Sequence, residues 1–146
     1  MQNTMLPRAM RQETEASETS SASARKKRVL VVDDELDTAI ILSLLLKRMG
    51  YEVLTAYDGV DGMNWVDRVH PDAILLDLGM PDMDGFEVCR TIRAMPWGGS
   101  VKMIAVTGRG EPEDKLQSME AGFDLHLVKP VNQWTLAEAL GPSEGF

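Results

Sequence analysis

A single cysteine and the lack of any long apolar run narrow the class of protein. Cys89 is the one cysteine among 146 residues, so no disulfide can form within the chain, and a reducing, cytoplasmic compartment is the simplest expectation. No stretch approaches the ~20 consecutive apolar residues of a membrane-spanning helix. The N-terminus mixes Arg, Gln, Thr and Glu and does not have the pattern of a secretory signal. We therefore expect a protein without a membrane segment.

Basic residues are scarce relative to acidic ones. The chain has 15 Lys and Arg against 23 Asp and Glu, a formal net charge of -8, whereas proteins that bind duplex nucleic acid need a basic footprint. The acidity is concentrated after residue 28, because residues 1–28 are net basic. The composition predicts no direct contact with nucleic acid and is compatible with carboxylates that bind a cation.

Residues 1–27 are predicted to form a flexible N-terminal tail. Residues 12–24 are rich in Ser, Thr, Glu and Ala, and such segments cannot bury enough apolar surface to offset the entropy of ordering. The basic run at residues 25–28 is either a nuclear or nucleic-acid address or a solvated lead-in to the first strand. The lead-in is favoured because short basic runs are weak signals. Residues 28–141 are predicted to form one domain, followed by a short tail at 142–146.

From residue 29 onward, short apolar runs alternate with segments of helical spacing. The predicted strands are 29–32, 52–57, 73–76, 102–107 and 124–128, and the predicted helices are 37–49, 60–69, 86–95, 113–121 and 134–140. In the first helix, the apolar positions at helical spacing are Ile40, Ile41, Leu44, Leu45 and Met49. In the second helix, the residues expected to pack inward are Val60, Met63 and Val66, together with Trp65. Because parallel strands need crossover helices, the alternation predicts an α/β fold: a doubly wound, five-stranded parallel sheet with helices on both faces.

Chemically reactive side chains follow the ends of these strands. Asp33 and Asp34 follow the first strand, Asp77 the third, Thr107 ends the fourth and Lys129 follows the fifth. Open α/β sheets bind ligands beyond the carboxyl ends of their strands. Clustered carboxylates disfavour one another's ionisation unless a cation is present, and Mg²⁺ prefers such oxygen ligands. An Asp beside Mg²⁺ can attack a phosphoryl group, so the pattern predicts phosphoryl chemistry with Mg²⁺ or Mn²⁺.

Four motifs in this order resemble the receiver domains of two-component response regulators. They are the acidic pair Asp33-Asp34, the D-x-x-M-P-x-x-x-G pattern from Asp77 to Gly85, Thr107-Gly108 and Lys129-Pro130. The resemblance covers about residues 28–140. It implies a flavodoxin-like strand order of 2-1-3-4-5, as in the chemotaxis receiver, and a role in two-component signal transduction or a phosphorelay.

The resemblance also implies how the site would work. Asp77 would accept the phosphoryl group from a phosphohistidine on a sensor histidine kinase or a histidine phosphotransfer domain. Asp34, Asp77 and the backbone carbonyl of Gly79 would ligate Mg²⁺ directly, and Asp33 would act mostly through a metal-bound water. Lys129 would pair with the acceptor carboxylate and then with the phosphoryl oxygens.

A conformational switch is part of the same resemblance. Thr107 would donate a hydrogen bond to the phosphoryl group and favour one of two pre-existing packings. The altered surface would comprise the fourth helix, the fifth strand and the fifth helix, which would bind a downstream protein. His126 stands where the family often has Tyr or Phe. It is either a pH-sensitive switch residue, since His titrates near neutrality, or a ring that simply swings in or out, which we favour.

Further positions flank the expected site. Met80 follows the acceptor segment, and Pro130 follows Lys129 in a peptide bond that is typically cis in the family. Gly79 and Arg109 lie two residues after Asp77 and Thr107, where side chains of the family tune access of the hydrolytic water. Because Gly79 has no side chain, shielding of the phosphoryl group is expected to depend on Arg109.

Other functions remain as alternatives at this point. Asp33, Asp77 and Lys129 taken singly would be ordinary helix caps or a solvated charge, and only their joint placement favours a site. A Mg²⁺-dependent phosphohydrolase with an Asp nucleophile would commonly carry a second Asp where Gly79 stands. We expect no turnover of an external substrate, only phosphotransfer to the domain itself and autodephosphorylation.

The remaining expectations concern the length of the chain and two isolated side chains. Sixteen residues follow Pro130, which predicts a stand-alone receiver or a receiver from a hybrid kinase, without a DNA-binding domain. Cys89 is expected in the core and His70 at a helix end.

Overall fold

The computed structural model describes residues 26–108 and 112–141. Within them strands and helices alternate from end to end. The elements are β1 (Arg28–Val32), α1 (Leu36–Arg48), β2 (Glu52–Ala56), α2 (Gly59–Val69), β3 (Ala73–Asp77), α3 (Gly85–Arg93), a 3-10 helix (Gly98–Ser100), β4 (Lys102–Thr107), α4 (Pro112–Ala121), β5 (Leu125–Val128) and α5 (Gln133–Leu140). The predicted tails at 1–27 and 142–146 lie almost wholly outside the described residues.

The five strands form one parallel sheet. Their order is β2-β1-β3-β4-β5, and every neighbouring pair is parallel, which confirms the predicted α/β architecture and strand order. The inner strand β3 is buried at every position, because helices cover both of its sides. A continuous apolar run is typical of such a strand.

The sheet separates two hydrophobic cores. On one face α1 and α5 pack against alternate strand residues such as Val31 and Leu75. On the other face α2, α3 and α4 cover the intervening residues, such as Val32 and Leu76. This alternation follows from the two-residue period of a strand. Cys89 lies in the second core and is fully buried, as predicted.

Side-chain caps begin three of the helices. Asp58 accepts a hydrogen bond from Asp61 N at the start of α2, and Asp84 accepts from the first backbone N–H groups of α3. Asn132 and Thr135 form a reciprocal capping box on α5. Such caps satisfy N–H groups that have no partner within the helix. His70 ends α2 in the left-handed region at φ 46°, and its ring stacks on Trp97 at 4.0 Å between centroids.

Two helices expose some of the apolar residues that form their helical spacing. In α1 the buried residues are Ala39, Leu42 and Leu46, whereas Ile40, Ile41 and Leu44 are exposed. Apolar residues occur around most of this helix, so their spacing predicts the helix but does not select its buried face.

The expectation that Val60 in α2 packs inward is wrong, because 73% of this residue is exposed. Here α2 buries Gly59, Gly62 and Val66. A Cβ added at Gly62 would lie 3.1 Å from Val32 Cγ2. Gly62 therefore allows α2 to approach Val32 of the sheet closely, and Val60, two residues before it, lies on the opposite side of the helix.

Candidate functional site

The sheet brings three carboxylates together at its carboxyl edge. Asp33, Asp34 and Asp77 each offer an oxygen, and these oxygens all lie within 4.8 Å of one another. Asp33 and Asp77 are buried, at 1% and 5% exposure, and Asp34 is exposed. This is the cluster that the strand ends predict, and a divalent cation is the kind of ligand that such a set of oxygens can hold.

Strand register explains the convergence. Val32 pairs with Leu76 across β1 and β3, so the residues that follow these two positions, Asp33 and Asp77, emerge side by side. Local hydrogen bonds then hold one oxygen of each carboxylate. Glu35 N donates to Asp33 Oδ1 at 2.9 Å, and Gly79 N donates to Asp77 Oδ1 at 3.0 Å.

Burial makes this cluster electrostatically unfavourable without a cation. Desolvation raises the pKa of Asp33 above its ordinary value. The hydrogen bond from Glu35 N opposes that rise, the charge of Asp77 adds to it, and Lys129 opposes it. Asp33 Oδ2 is buried and accepts no hydrogen bond of good geometry, although the Lys129 ammonium lies 3.1 Å away. The donor set therefore fits a hard cation, which would neutralise the charges that burial penalises.

Lys129 extends into the cluster from the end of β5. Its Nζ lies 2.9 Å from Glu35 Oε1, 3.1 Å from Asp33 Oδ2 and 3.6 Å from Asp77 Oδ2. Burial lowers the pKa of Lys129, but its hydrogen bond to Glu35, its ion pair with Asp33 and the charge of Asp77 outweigh that effect, so the net shift is upward. The ammonium group thus stays charged beside the Asp77 carboxylate.

The backbone around Lys129 is fixed by the neighbouring strand and by proline. Lys129 N donates to Thr107 O at 2.8 Å. The Lys129–Pro130 peptide bond is cis, as the resemblance implies. Pro130 is itself exposed.

Glu35 is a site residue that the sequence did not single out. It holds the shortest ion pair to Lys129, and its side chain is 61% exposed. The hydrogen bond from Lys129, followed by one from Thr38, lowers the pKa of Glu35. Its place directly after the acidic pair was visible in the sequence, but its pairing with a residue 94 positions away depends on the fold.

The remaining predicted residues surround the cluster at different depths. Thr107 ends β4 and is buried, at 8% exposure, on the strand that pairs with β3. Met80 is buried at 3% exposure. Gly79 is exposed, and a Cβ there would lie 3.5 Å from Asp77 Oδ1. Arg109, the expected shield of the phosphoryl group, lies outside the described residues.

His126 lies on β5 with an unsatisfied ring. Both ring nitrogens are buried and have no hydrogen-bond partner within the described part of the chain. Burial lowers the pKa of His126; the nearby Asp114 opposes that change and Lys115 adds to it. The neutral form of the ring is therefore favoured in this position. Both a pH-sensitive switch and a simple swinging ring are compatible with a neutral ring, so the preference for the swinging ring stays a prediction.

A groove opens beside the cluster. It has a volume of about 390 Å³ and lies next to Lys129, between the first two turns of α1 and the segment after β5, with Glu35, Thr38, Ile41 and Pro130 in its walls. Among the described residues no helix is both long enough and apolar enough to cross a membrane.

Comparisons with known sequences agree with this geometry. A family profile described as "Response regulator receiver domain" matches residues 29–141. The "Probable transcriptional regulator ycf27" of Cyanophora paradoxa is 38% identical over 105 residues, which cover 72% of this chain and 43% of the relative. The "DNA-binding dual master transcriptional regulator RpaA" of Synechocystis is 35% identical over 103 residues, which cover 70% of this chain and 43% of the relative. The chain therefore spans less than half the length of these curated relatives.

Comparisons with solved structures match a larger share of each partner. The chemotaxis response regulator CheY4 of Vibrio cholerae superposes with a TM-score of 0.74 at 33% identity, covering 80% of this chain and 97% of that chain. A CheY-like receiver domain protein from Methanospirillum hungatei superposes with a TM-score of 0.73 at 32% identity, covering 80% of this chain and 91% of that chain. The similarity thus extends over nearly the whole of both solved chains.

Proposed function

The chain belongs to the response regulator receiver domain family, and from that premise we propose that Asp77 is the residue that receives the phosphoryl group. Receiver domains of this family act in phosphorylation-activated signalling. The observation that carries the assignment to Asp77 is its buried position beside Asp33, Asp34 and the Lys129 ammonium at the carboxyl edge of the sheet.

The chemistry follows from the groups around Asp77. A carboxylate oxygen of Asp77 attacks the phosphorus of a phosphohistidine, the P–N bond breaks, and its electron pair stays on the departing ring nitrogen. The proton already on the other ring nitrogen makes the departing imidazole neutral. The product is an acyl phosphate on Asp77. Lys129 lies close enough to neutralise charge on the transferred group, and the Gly79 N–H orients the carboxylate. Positioning and charge stabilisation are the main requirements of phosphoryl transfer.

A divalent cation, Mg²⁺ or Mn²⁺, fits the carboxylate cluster. Asp34 and Asp77 would hold it, with the backbone carbonyl of Gly79, and Asp33 would support it from its buried position. When bound, the cation would neutralise charge on the phosphoryl oxygens.

The partners follow from the family. A sensor histidine kinase or a histidine phosphotransfer domain would supply the phosphoryl group through the groove beside Lys129. Thr107 and His126 would transmit the change to a surface formed by α4, β5 and α5, which would bind a downstream protein. We place this exchange in the cytoplasm, and we expect hydrolysis to return Asp77 to its free form. The chain spans only 43% of each of the two transcriptional regulators. Their names therefore give no information on whether this chain contacts DNA.

The phosphohydrolase alternative has no support. The position two residues after Asp77 is Gly79, which cannot act as an acid or base, and the family match is to a signalling domain.

The proposal predicts that the full chain forms one acid-stable, base-labile acyl phosphate. Incubation with acetyl phosphate and Mg²⁺ should add one phosphoryl group in the intact mass, and peptide mapping should place it on the peptide that contains Asp77. Omission of the divalent cation should prevent the gain. No gain in any condition, or a phosphate on a serine or threonine, would contradict the assignment.

A second prediction concerns the pH dependence of Mg²⁺ affinity. Because the pKa of Asp33 is raised, its carboxyl keeps a proton at pH values where an ordinary Asp, with a pKa of about 3.9, has already lost it. Protons should therefore compete with Mg²⁺, and affinity measured by isothermal titration calorimetry should fall as the pH is lowered, starting above the ordinary Asp range. An Asp33→Asn variant should bind more weakly at pH 7 and lose this part of the pH dependence. An equal pH dependence in both proteins would contradict the prediction.

A further inference from the structure

Glu35 occupies the position that normally caps a helix, but it does not cap α1. Its side chain accepts no hydrogen bond from the backbone N–H groups of the first turn. Asp, Asn, Ser and Thr are preferred at this position because their short side chains accept such bonds. The longer side chain of Glu35 instead accepts from Thr38 Oγ1 at 3.0 Å and from Lys129 Nζ at 2.9 Å. The start of α1 thus lacks a side-chain cap, and the carboxylate contacts the candidate site.

The Lys129 ammonium is oriented by Glu35 rather than by the buried carboxylates. Glu35 Oε1 accepts a hydrogen bond of good geometry from Nζ at 2.9 Å. Asp33 Oδ2 lies 3.1 Å away but accepts no such bond from any described residue. Asp77 Oδ2, at 3.6 Å, is too distant for one. Because hydrogen bonds are directional, the ammonium points toward Glu35 rather than toward the carboxylate that would carry the phosphoryl group.

The contact between Glu35 and Lys129 can be exchanged easily. The Glu35 side chain is 61% exposed, whereas that of Lys129 is 17% exposed. Water can therefore replace Lys129 as the partner of Glu35, and ion pairs with so exposed a partner contribute little. A phosphoryl group on Asp77 would carry close to two negative charges in place of the one on the free carboxylate, and would attract the ammonium more strongly. The transferred group would thus compete with Glu35 for Lys129.

We propose that Glu35 is a positioning residue that holds Lys129 away from Asp77 until the phosphoryl group is transferred. The inference rests on the proposed role of Asp77 and extends it to a residue outside the acceptor and its cation ligands. To neutralise charge that develops on the transferred group, Lys129 must leave Glu35 as the group arrives. A change that weakens the contact between Glu35 and Lys129 should therefore speed phosphoryl uptake.

Two substitutions at Glu35 weaken the contact in different ways. Glu35→Gln keeps the length of the side chain and removes its charge. Glu35→Asp keeps the charge but shortens the side chain, and Asp at this position is expected to cap α1 instead of reaching Lys129. With acetyl phosphate and Mg²⁺, both full-length variants should take up the phosphoryl group about two- to fivefold faster than the wild type, a factor typical of losing an exposed ion pair. A time course of intact mass measures the rates.

Two controls separate an effect on Lys129 from a general effect of charge. Asp37→Asn removes an exposed acidic charge from the first turn of the same helix and should leave the rate unchanged. Phosphoramidate is a second small donor with less negative charge than acetyl phosphate. If Glu35 acts on Lys129, the acceleration should be equal with both donors, whereas repulsion of the donor by Glu35 would give a smaller effect with phosphoramidate. Circular dichroism should show that every variant is folded.

The outcomes distinguish this inference from the assignment of the acceptor. No uptake by the wild type would contradict the role of Asp77 and would overturn the inference with it. If the wild type takes up the phosphoryl group, the inference alone is overturned when either Glu35 variant is no faster than the wild type. It is also overturned if Asp37→Asn is accelerated to the same extent, or if the acceleration is smaller with phosphoramidate than with acetyl phosphate.

Discussion

Replacing Asp77 with Asn is expected to abolish phosphoryl uptake completely. The side-chain amide keeps the shape of the carboxylate, and its oxygen can still accept the hydrogen bond from Gly79 N, but an amide is too weak a nucleophile to form an acyl phosphate. Intact mass after incubation with acetyl phosphate and Mg²⁺ measures the loss. The matched control is Asp84→Asn, because Asp84 is an exposed cap of α3 in the same loop and Asn caps a helix as well as Asp does.

The same substitution should change the stability of the fold in a way that identifies the electrostatic cause. The charge of Asp77 contributes to the raised pKa of Asp33, so its removal relieves a like-charge repulsion. The substitution also removes the 3.6 Å ion pair between Asp77 and Lys129, but Lys129 keeps closer partners in Glu35 and Asp33. With EDTA present at pH 7, Asp77→Asn should therefore increase the free energy of unfolding by up to about 1 kcal/mol. The stabilisation by Mg²⁺ should shrink, because one of the carboxylates is missing. Phosphoryl uptake by Asp77→Asn equal to that of the control would refute the assignment of the acceptor.

The largest loss of stability is expected from Arg93→Ala, far from the candidate site. The Arg93 guanidinium donates to the backbone carbonyls of Gly98, Val101 and Gly122 at 2.9, 2.6 and 2.9 Å. It also pairs with Asp124 Oδ2 at 2.8 Å, and the same oxygen accepts from Met103 N. One side chain thus connects α3, the 3-10 helix, β4 and the segment before β5.

Alanine would remove the Arg93 donor from all three carbonyls, although Gly98 O would still accept from Val101 N. Each buried group that loses its partner costs about 1–3 kcal/mol. We expect a total loss of about 3 kcal/mol in urea denaturation. Most of it comes from the carbonyl bonds, because Asp124 is 46% exposed and ion pairs at such positions contribute little. Arg93→Lys should fall in between, since an ammonium group cannot reach several carbonyls at once.

Arg90→Ala is the matched control for this prediction. Arg90 is an exposed basic residue in the last turn of the same helix, and its removal should change stability by less than about 0.5 kcal/mol. Similar losses for the Arg90 and Arg93 variants would mean that the guanidinium network does not stabilise the fold as argued.

The elements that the sequence predicted well have local causes. The apolar runs of β1 and β3 are properties of short segments, so their bounds agree with the structure to within a few residues. The motifs at the strand ends could also be identified from the sequence. Once the strands are parallel and adjacent, the residues after Val32 and Leu76 must lie together.

The errors arose where the choice depends on distant parts of the chain. The spacing in α1 does not show which side meets the sheet, because Ile40 and Leu44 are as apolar as Leu42 and Leu46. The exposure of Val60 depends on which side of α2 faces the sheet, and that is the side on which Gly62 lies next to Val32. The sequence around Glu35 and Arg93 does not indicate what these residues bind, because partners such as Lys129 and Asp124 lie far away along the chain.

The sequence by itself determined the alternation of strands and helices, the parallel sheet and the set of reactive residues at its carboxyl edge, because periodicity and motif order are local and additive. Only the tertiary structure decided which helix faces are buried, that Lys129 lies nearest to Glu35, and which carbonyls Arg93 holds. Those outcomes depend on distances between segments that meet only when the chain packs, and a one-dimensional pattern does not contain them.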